Sequence, residues 1–225
     1  MIFSGKKNIF VILLIVILYS IFPLSLSGAH IESLDVQGGL LWIGNAVENQ
    51  QPNPLIPFPG FALPIRISKH FLIEPSLEFY KYFYEITTGD KAIPTQIETQ
   101  NNRQIWGLLV SPRFVFDFPI SPRNSLGFFI SPVFLFRIPG IAVDQATAPD
   151  SSVFTSYFYG AGRFFYPETS LRFTWRASDG VVLKINIRAL YPIFHIWDEE
   201  DLPFYDQMLL SVGISFSFLN IKLKE

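Results

Sequence analysis

Leu72-Ile73-Glu74-Pro75-Ser76-Leu77-Glu78-Phe79 alternates apolar with polar residues and carries a proline at its fourth place. The pattern returns as Leu109-Val110-Ser111-Pro112-Arg113-Phe114-Val115-Phe116 and as Phe129-Ile130-Ser131-Pro132-Val133-Phe134-Leu135-Phe136. A two-residue period sends alternate side chains to opposite faces of a sheet, so all three stretches are predicted strands. One parity is large and apolar (Ile73, Leu77, Phe79; Val110, Phe114, Phe116; Ile130, Phe134, Phe136), while the other carries Glu74, Glu78, Arg113, Asp117 and Arg137. A soluble sandwich buries its aromatics and hydrates its charges. A membrane barrel does the reverse, turning the apolar face to lipid and the charges to the lumen.

The composition agrees with the second arrangement. Only 16% of the 225 residues are charged and 24 are Phe, against about 25% charged in a typical soluble domain. The length suits a single domain, enough for an eight-stranded barrel. A net charge of −2 points to neither nucleic acid nor an anionic membrane surface as partner. With no cysteine, disulfides, thiolate metal sites, a Cys nucleophile and a lipidated N-terminal Cys are all excluded. Surface anchoring must come from the fold.

Residues 1–29 read as an export signal: Lys6 and Lys7 start it, Ile9 to Phe22 form its apolar stretch, and Ser27 and Ala29 supply the small residues before cleavage after Ala29. An uncleaved anchor is the rival reading, since Ile9 to Leu26 approaches the ~20 apolar residues of a spanning helix. The barrel domain is then residues 30–225. Eight strands are expected near Leu34 to Gly44, Gly60 to Ser68, Phe71 to Tyr84, Ile105 to Phe118, Ser125 to Ile138, Tyr157 to Arg176, Val181 to Ile193 and Gln207 to Leu219. Long connections (Asn45 to Pro59, Glu85 to Gln104, Pro139 to Ser156, Phe194 to Asp206) alternate with short ones (Lys69-His70, Pro119 to Asn124, Ala177 to Gly180). Such alternation puts long loops at one end and tight turns at the other, the sidedness of an antiparallel up-and-down transmembrane barrel.

Sorting faces strand by strand places no formal charge among the predicted lipid-facing residues, which include Leu171, Phe173, Trp175, Val212 and Ile214. The predicted lumen lining is Arg66, Glu74, Glu78, Arg113, Asp117, Arg137, Glu168, Arg172, Arg176, Lys184 and Arg188, with Ser211, Gly213, Ser215 and Ser217 of the last strand. A charge at mid-bilayer on the lipid face costs ~2–4 kcal/mol, which is what such sorting avoids. Trp42, Tyr82, Tyr84, Trp106, Tyr191 and Tyr205 at the loop end, and Phe71, Phe118 and Trp175 at the turn end, form two candidate interfacial girdles. Pro64, Pro75, Pro112 and Pro132 sit inside these strands, where proline cannot donate to a ladder. Each is expected to mark a bulge. The last strand departs from barrels that close on an aromatic residue, because Phe218 is followed by Leu219-Asn220-Ile221-Lys222-Leu223-Lys224-Glu225.

From Leu34 to Phe218 the chain resembles the small eight-stranded outer-membrane barrels of the OmpA, OmpX and OmpW type, and its richness in Phe, Ile and Pro is similar to that of spirochaetal barrels. The resemblance is architectural and transfers no site residue. It implies residence among outer-membrane lipid, insertion by the barrel-assembly machinery, and roles from anchoring and adhesion to an extracellular ligand or host protein through to narrow channels.

An eight-stranded lumen is just wide enough to be filled by side chains. Seven inward cations against four inward carboxylates can form a salt-bridged plug or line a narrow pore with a weak anion preference. A soluble secreted barrel with an apolar ligand is a third class. Catalysis finds little support: of His30, His70 and His195, only His195 lies in a long loop, beside Asp198, Glu199, Glu200 and Asp201, with no hydrolase or metal motif around it. Arg163 in Gly160-Ala161-Gly162-Arg163 reads as the start of a strand rather than a phosphate loop. No enzyme activity, cofactor or metal is expected.

Overall fold

A computed structural model describes residues 29–46, 53–86, 91–95, 102–142, 144, 149–178, 180–197 and 203–217. The predicted signal peptide, the Asp198 to Asp201 cluster and the C-terminal stretch from Phe218 lie outside these residues.

The strands are β1 (His30–Ile31), β2 (Asp35–Ile43), β3 (Leu55–Ala62), β4 (Ile65–Ser68), β5 (Phe71–Ile86), β6 (Ala92–Thr95), β7 (Arg103–Pro119) and β8 (Asn124–Ala142), then β9 (Phe165–Ser178), β10 (Val181–Leu190) and β11 (Leu209–Ser217). The helix α1 (Ser151–Tyr159) stands between β8 and β9. Successive staves pair antiparallel, β1 pairs with β4, β11 pairs with β2, and β5 pairs with both β3/β4 and β7, which closes the ring. β3 and β4 are two halves of one stave, and β6 is a hairpin arm on the upper end of β5. The result is an eight-stave antiparallel barrel with the long connections at one end.

Alternation decides the faces. Val36, Leu40, Phe61, Leu77, Phe79, Phe128, Ile130, Leu171, Val212 and Ile214 are exposed on the outer wall, while Glu74, Glu78, Arg113 and Arg172 are buried inside. A soluble barrel would need the opposite arrangement.

Three differences from expectation have physical causes. A strand from Tyr157 is replaced by α1, whose start is capped by the Asp150 carboxylate accepting the Ser152 N–H at 3.0 Å. Arg163 therefore follows a single 3-10 turn, Gly160–Gly162, and β9 begins at Phe165. Tyr84 shares the parity of Glu78 and Tyr80, so it is buried inside the barrel instead of joining the outer girdle.

The prolines do not make bulges. Register is unbroken through Pro75↔Pro112 and through Pro132↔Pro167. Across β7 and β8, Pro112 lies midway between Val110↔Phe134 and Phe114↔Ile130, directly opposite Pro132. Pro75, Pro112, Pro132 and Pro167 thus form one row across four staves. In an antiparallel ladder each residue bonds to one neighbour only. The Leu63 N–H bonds the Pro75 carbonyl at 2.9 Å and the Tyr191 N–H bonds the Pro167 carbonyl at 2.9 Å. The two outer prolines therefore miss their donor at Leu63, next to the β3/β4 break at Pro64, and at Tyr191, just beyond the end of β10. Pro112 and Pro132 miss theirs toward each other, so four prolines open a single interior gap in the wall. The irregularities that do occur lie at Arg66/Ser68, Arg103/Ile105 and Val181/Val182.

Candidate functional site: the sealed lumen

The turn-side half of the lumen is a layer of ion pairs. Arg188 holds Glu78 with both terminal nitrogens at 2.7 Å, Arg172 holds Glu74 likewise at 2.7 Å, and Arg113 reaches Glu74 at 3.2 Å and also contacts Glu78. Glu168 lies 3.2 Å from Arg188 and accepts from the Ser111 hydroxyl at 3.3 Å. Gln37 donates to Glu78 at 2.9 Å, Asn186 accepts from Arg172 at 2.7 Å, and Ser211 accepts from Arg188 at 2.8 Å. The short inward residues of β11 leave room for these long side chains. Such a layer is stable only if each charge meets its opposite and its remaining hydrogen-bonding positions are filled.

Lys184 ends 2.5 Å from Asp35, which also accepts from Ser33 at 2.7 Å and Ser217 at 2.6 Å. Asp35 is a buried lumen carboxylate that the sequence-based lining does not include. Its parity with Gln37, Gly39 and Leu41 is the signal that would have found it. At the turn-end mouth, Arg66 contacts Glu32, and Asp117 lies 3.6 Å from Arg66 and 3.8 Å from Arg176. Of the eleven sequence-selected residues, Arg66 and Arg176 occupy this partly exposed rim and the other nine are buried.

Toward the loops the lumen changes character. Leu41, Ile43, Ile56, Phe58, Tyr80, Tyr84, Ile105, Leu135, Tyr166, Leu190 and Leu209 fill it from the wall, and Phe154 and Phe158 of α1 enter from above with Phe194 of a second 3-10 turn. The ring of Phe58 sits over Gly39 and Gly213; a side chain at Gly39 would meet the Val212 carbonyl at 2.2 Å. Arg137 penetrates this apolar layer, donating to the Tyr80 hydroxyl at 3.2 Å, the Tyr166 hydroxyl at 3.0 Å and the Arg163 carbonyl at 3.1 Å. Arg163 packs over Tyr157 with its guanidinium 4.4 Å from the ring centre. His195 is tied by Nε2 to the Asp206 carbonyl at 2.9 Å. Among the described residues, no group of three or more His, Asp or Glu side chains is placed to hold a metal ion.

A wall of this topology, greasy outside and ionic within, has counterparts among solved structures. The Neisserial surface protein A matches with a TM-score of 0.50 over 85% of this chain and 99% of its own, at 10% identity. The fold is that of the small outer-membrane barrels. Two further structures align more loosely: Ail of Yersinia pestis (TM-score 0.43, 10% identity, 84% of this chain and 98% of its own) and OprG of Pseudomonas aeruginosa (TM-score 0.40, 8% identity, 83% and 96%). No protein-family model and no curated protein sequence matches the chain. This outer-membrane-type barrel differs from an open pore in its two filled layers, ionic below and aromatic above.

Proposed function

We propose that the exported chain is a closed outer-membrane scaffold that displays its four long loops for surface interaction, after cleavage of residues 1–29 and insertion by the barrel-assembly machinery. The observation that carries this reading is the double seal. Arg113 and Arg172, the residues that would select anions in a channel, are both clamped to Glu74, and α1 packs Phe154 and Phe158 over the layer above them. An ion crossing the barrel would have to break buried pairs and displace an apolar plug. The loops, held by a rigid wall, are then the surface available to an extracellular ligand or host protein. The reading assigns the barrel no catalytic role.

The purified protein is tested first by gel mobility with and without boiling, which reports a detergent-stable barrel, and then in planar bilayers. The heat-shifted form is expected to insert without discrete conductance steps. Reproducible steps whose selectivity is lost in Arg172→Glu would replace the scaffold with the narrow anion channel.

A further inference from the structure

On the wall strands five long cationic side chains are buried, and among the described residues one of them, Arg137, has no carboxylate within ion-pair distance. Arg113, Arg172, Lys184 and Arg188 each contact a carboxylate. Arg137, only 2% exposed, is held by two tyrosine hydroxyls and a backbone carbonyl, and no carboxylate among the described residues lies within ion-pair distance of it. Rings of Phe158 and Tyr166 stand 4.9 and 5.7 Å from its guanidinium. A buried charge without a partner is costly, and aromatic faces offset only part of that cost.

The wall nearest Arg137 along its lateral row is also incomplete. The β3–β5 ladder contains three pairs and ends at Gly60↔Glu78. Because Leu63 donates to Pro75, odd-numbered residues of β3 point their nitrogens at β5, and Pro59 and Pro57 occupy the next two such positions with no N–H to give. Phe58, between them, continues the register opposite Tyr80. Tyr80 pairs with Gly107 and Gly107 with Arg137. A side chain at Gly107 would lie 2.0 Å from the Tyr80 ring, so the glycine lets that ring lie flat and its hydroxyl reach Arg137. Along this row of the inner wall the order is seam, Tyr80, Gly107, Arg137. Lys81 of β5 is exposed on the outer face, with its Nζ 5.5 Å from the ring of Trp106 on β7, the side of β5 away from the seam.

We propose that Arg137 is the headgroup receptor for a single-chain anionic amphiphile that enters from the membrane through the β3–β5 seam. The anion replaces the Tyr80 hydroxyl on Nε, the tyrosine ring swings off Gly107, and the acyl tail lies between Phe58, Ile56 and Phe79 toward lipid. The route is apolar along the tail and the Arg137 guanidinium is cationic at the head, which suits this class and disfavours neutral lipids.

The test uses the full mature barrel, folded in detergent and verified by its heat-dependent mobility, with native mass spectrometry and displacement of cis-parinaric acid. Oleate is expected to bind one to one and oleyl alcohol at least tenfold more weakly; 1-oleoyl lysophosphatidic acid reports whether a phosphate head serves as well as a carboxylate. Arg137→Gln should lose at least tenfold in oleate affinity and Arg137→Lys should recover part of it. The paired change Pro57→Val with Pro59→Val restores two donors to the seam and should slow association at least tenfold with Arg137 intact. Equal binding of oleate and oleyl alcohol, or native affinity in a folded Arg137→Gln barrel, overturns the receptor. Native association rates in the valine pair overturn the route. Where Arg137→Gln gives no folded band, the alcohol comparison and the valine pair decide.

Discussion

Pro112 and Pro132 face each other across β7 and β8 at a position where each should donate to the other's carbonyl, and neither can. The Ser131 hydroxyl supplies the missing donor, bonding the Pro132 carbonyl at 3.0 Å, and it stands 2.7 Å from the Ser111 hydroxyl. The Ser131 hydroxyl therefore satisfies the carbonyl that Pro112 leaves without a donor, while the Ser111 hydroxyl turns to Glu168 at 3.3 Å. Ser131→Ala should cost ~1–3 kcal/mol by leaving a wall carbonyl without a donor, read as a lower urea midpoint for the barrel in lipid vesicles. Adding Pro112→Ala, which returns an N–H opposite Pro132, should recover most of the loss; no recovery would show that the two prolines do not share the gap.

Among the described residues, the carboxylate within ion-pair distance of Lys184 is that of Asp35. Lys184→Met leaves that acid buried and unpaired, an expected loss of ~3–5 kcal/mol. In Lys184→Met with Asp35→Asn the charge is gone, and Asn still accepts from Ser33 and Ser217. The double variant should be more stable than the single one, measured by a double-mutant cycle on unfolding midpoints; simple additivity would remove the pairing from the stability of the barrel.

Leu171, 68% exposed on the outer wall, faces the surface assigned to hydrocarbon. Leu171→Arg should destabilise the folded barrel in bilayers by ~2–4 kcal/mol. A folding yield and midpoint equal to those of the native chain would mean that this face does not meet lipid.

Asp206 sits in the turn before β11, outside the spanning strands. Burial pushes its carboxyl above the usual carboxylate range, opposed by the Ala46 N–H at 2.8 Å and by nearby His195. A folded-state value above the unfolded one means that the folded chain holds the proton more tightly, so stability from this group falls as pH rises through the folded value. Asp206→Asn keeps an acceptor for Ala46 and removes the charge. It should raise the thermal midpoint of the mobility shift at pH 7 and leave it nearly unchanged at pH 4. An equal gain at both values would assign the effect to packing instead.

The alternation in Leu72 to Phe79 and its two repeats was enough to predict β5, β7 and β8, and the same parity rule placed Glu74, Glu78, Arg113, Arg172 and Arg188 on one face. Local signals failed where tertiary contacts outweighed them. The stretch Val153-Phe154-Thr155-Ser156-Tyr157-Phe158-Tyr159 is rich in β-formers, yet the open mouth of the barrel needed an apolar cover, and a capped helix brings Phe154 and Phe158 to one side.

What the sequence determined by itself is which residues face lipid and which face the lumen, because strand period is a local property of two residues. Only the tertiary structure decided which acid meets which base, that four prolines lie in one row, and that Arg137 meets no carboxylate among the described residues. Those relationships depend on the stagger between staves and on contacts across the lumen, such as Glu78 with Arg188, between residues 110 positions apart. Nothing in the alternation of either strand encodes that distance.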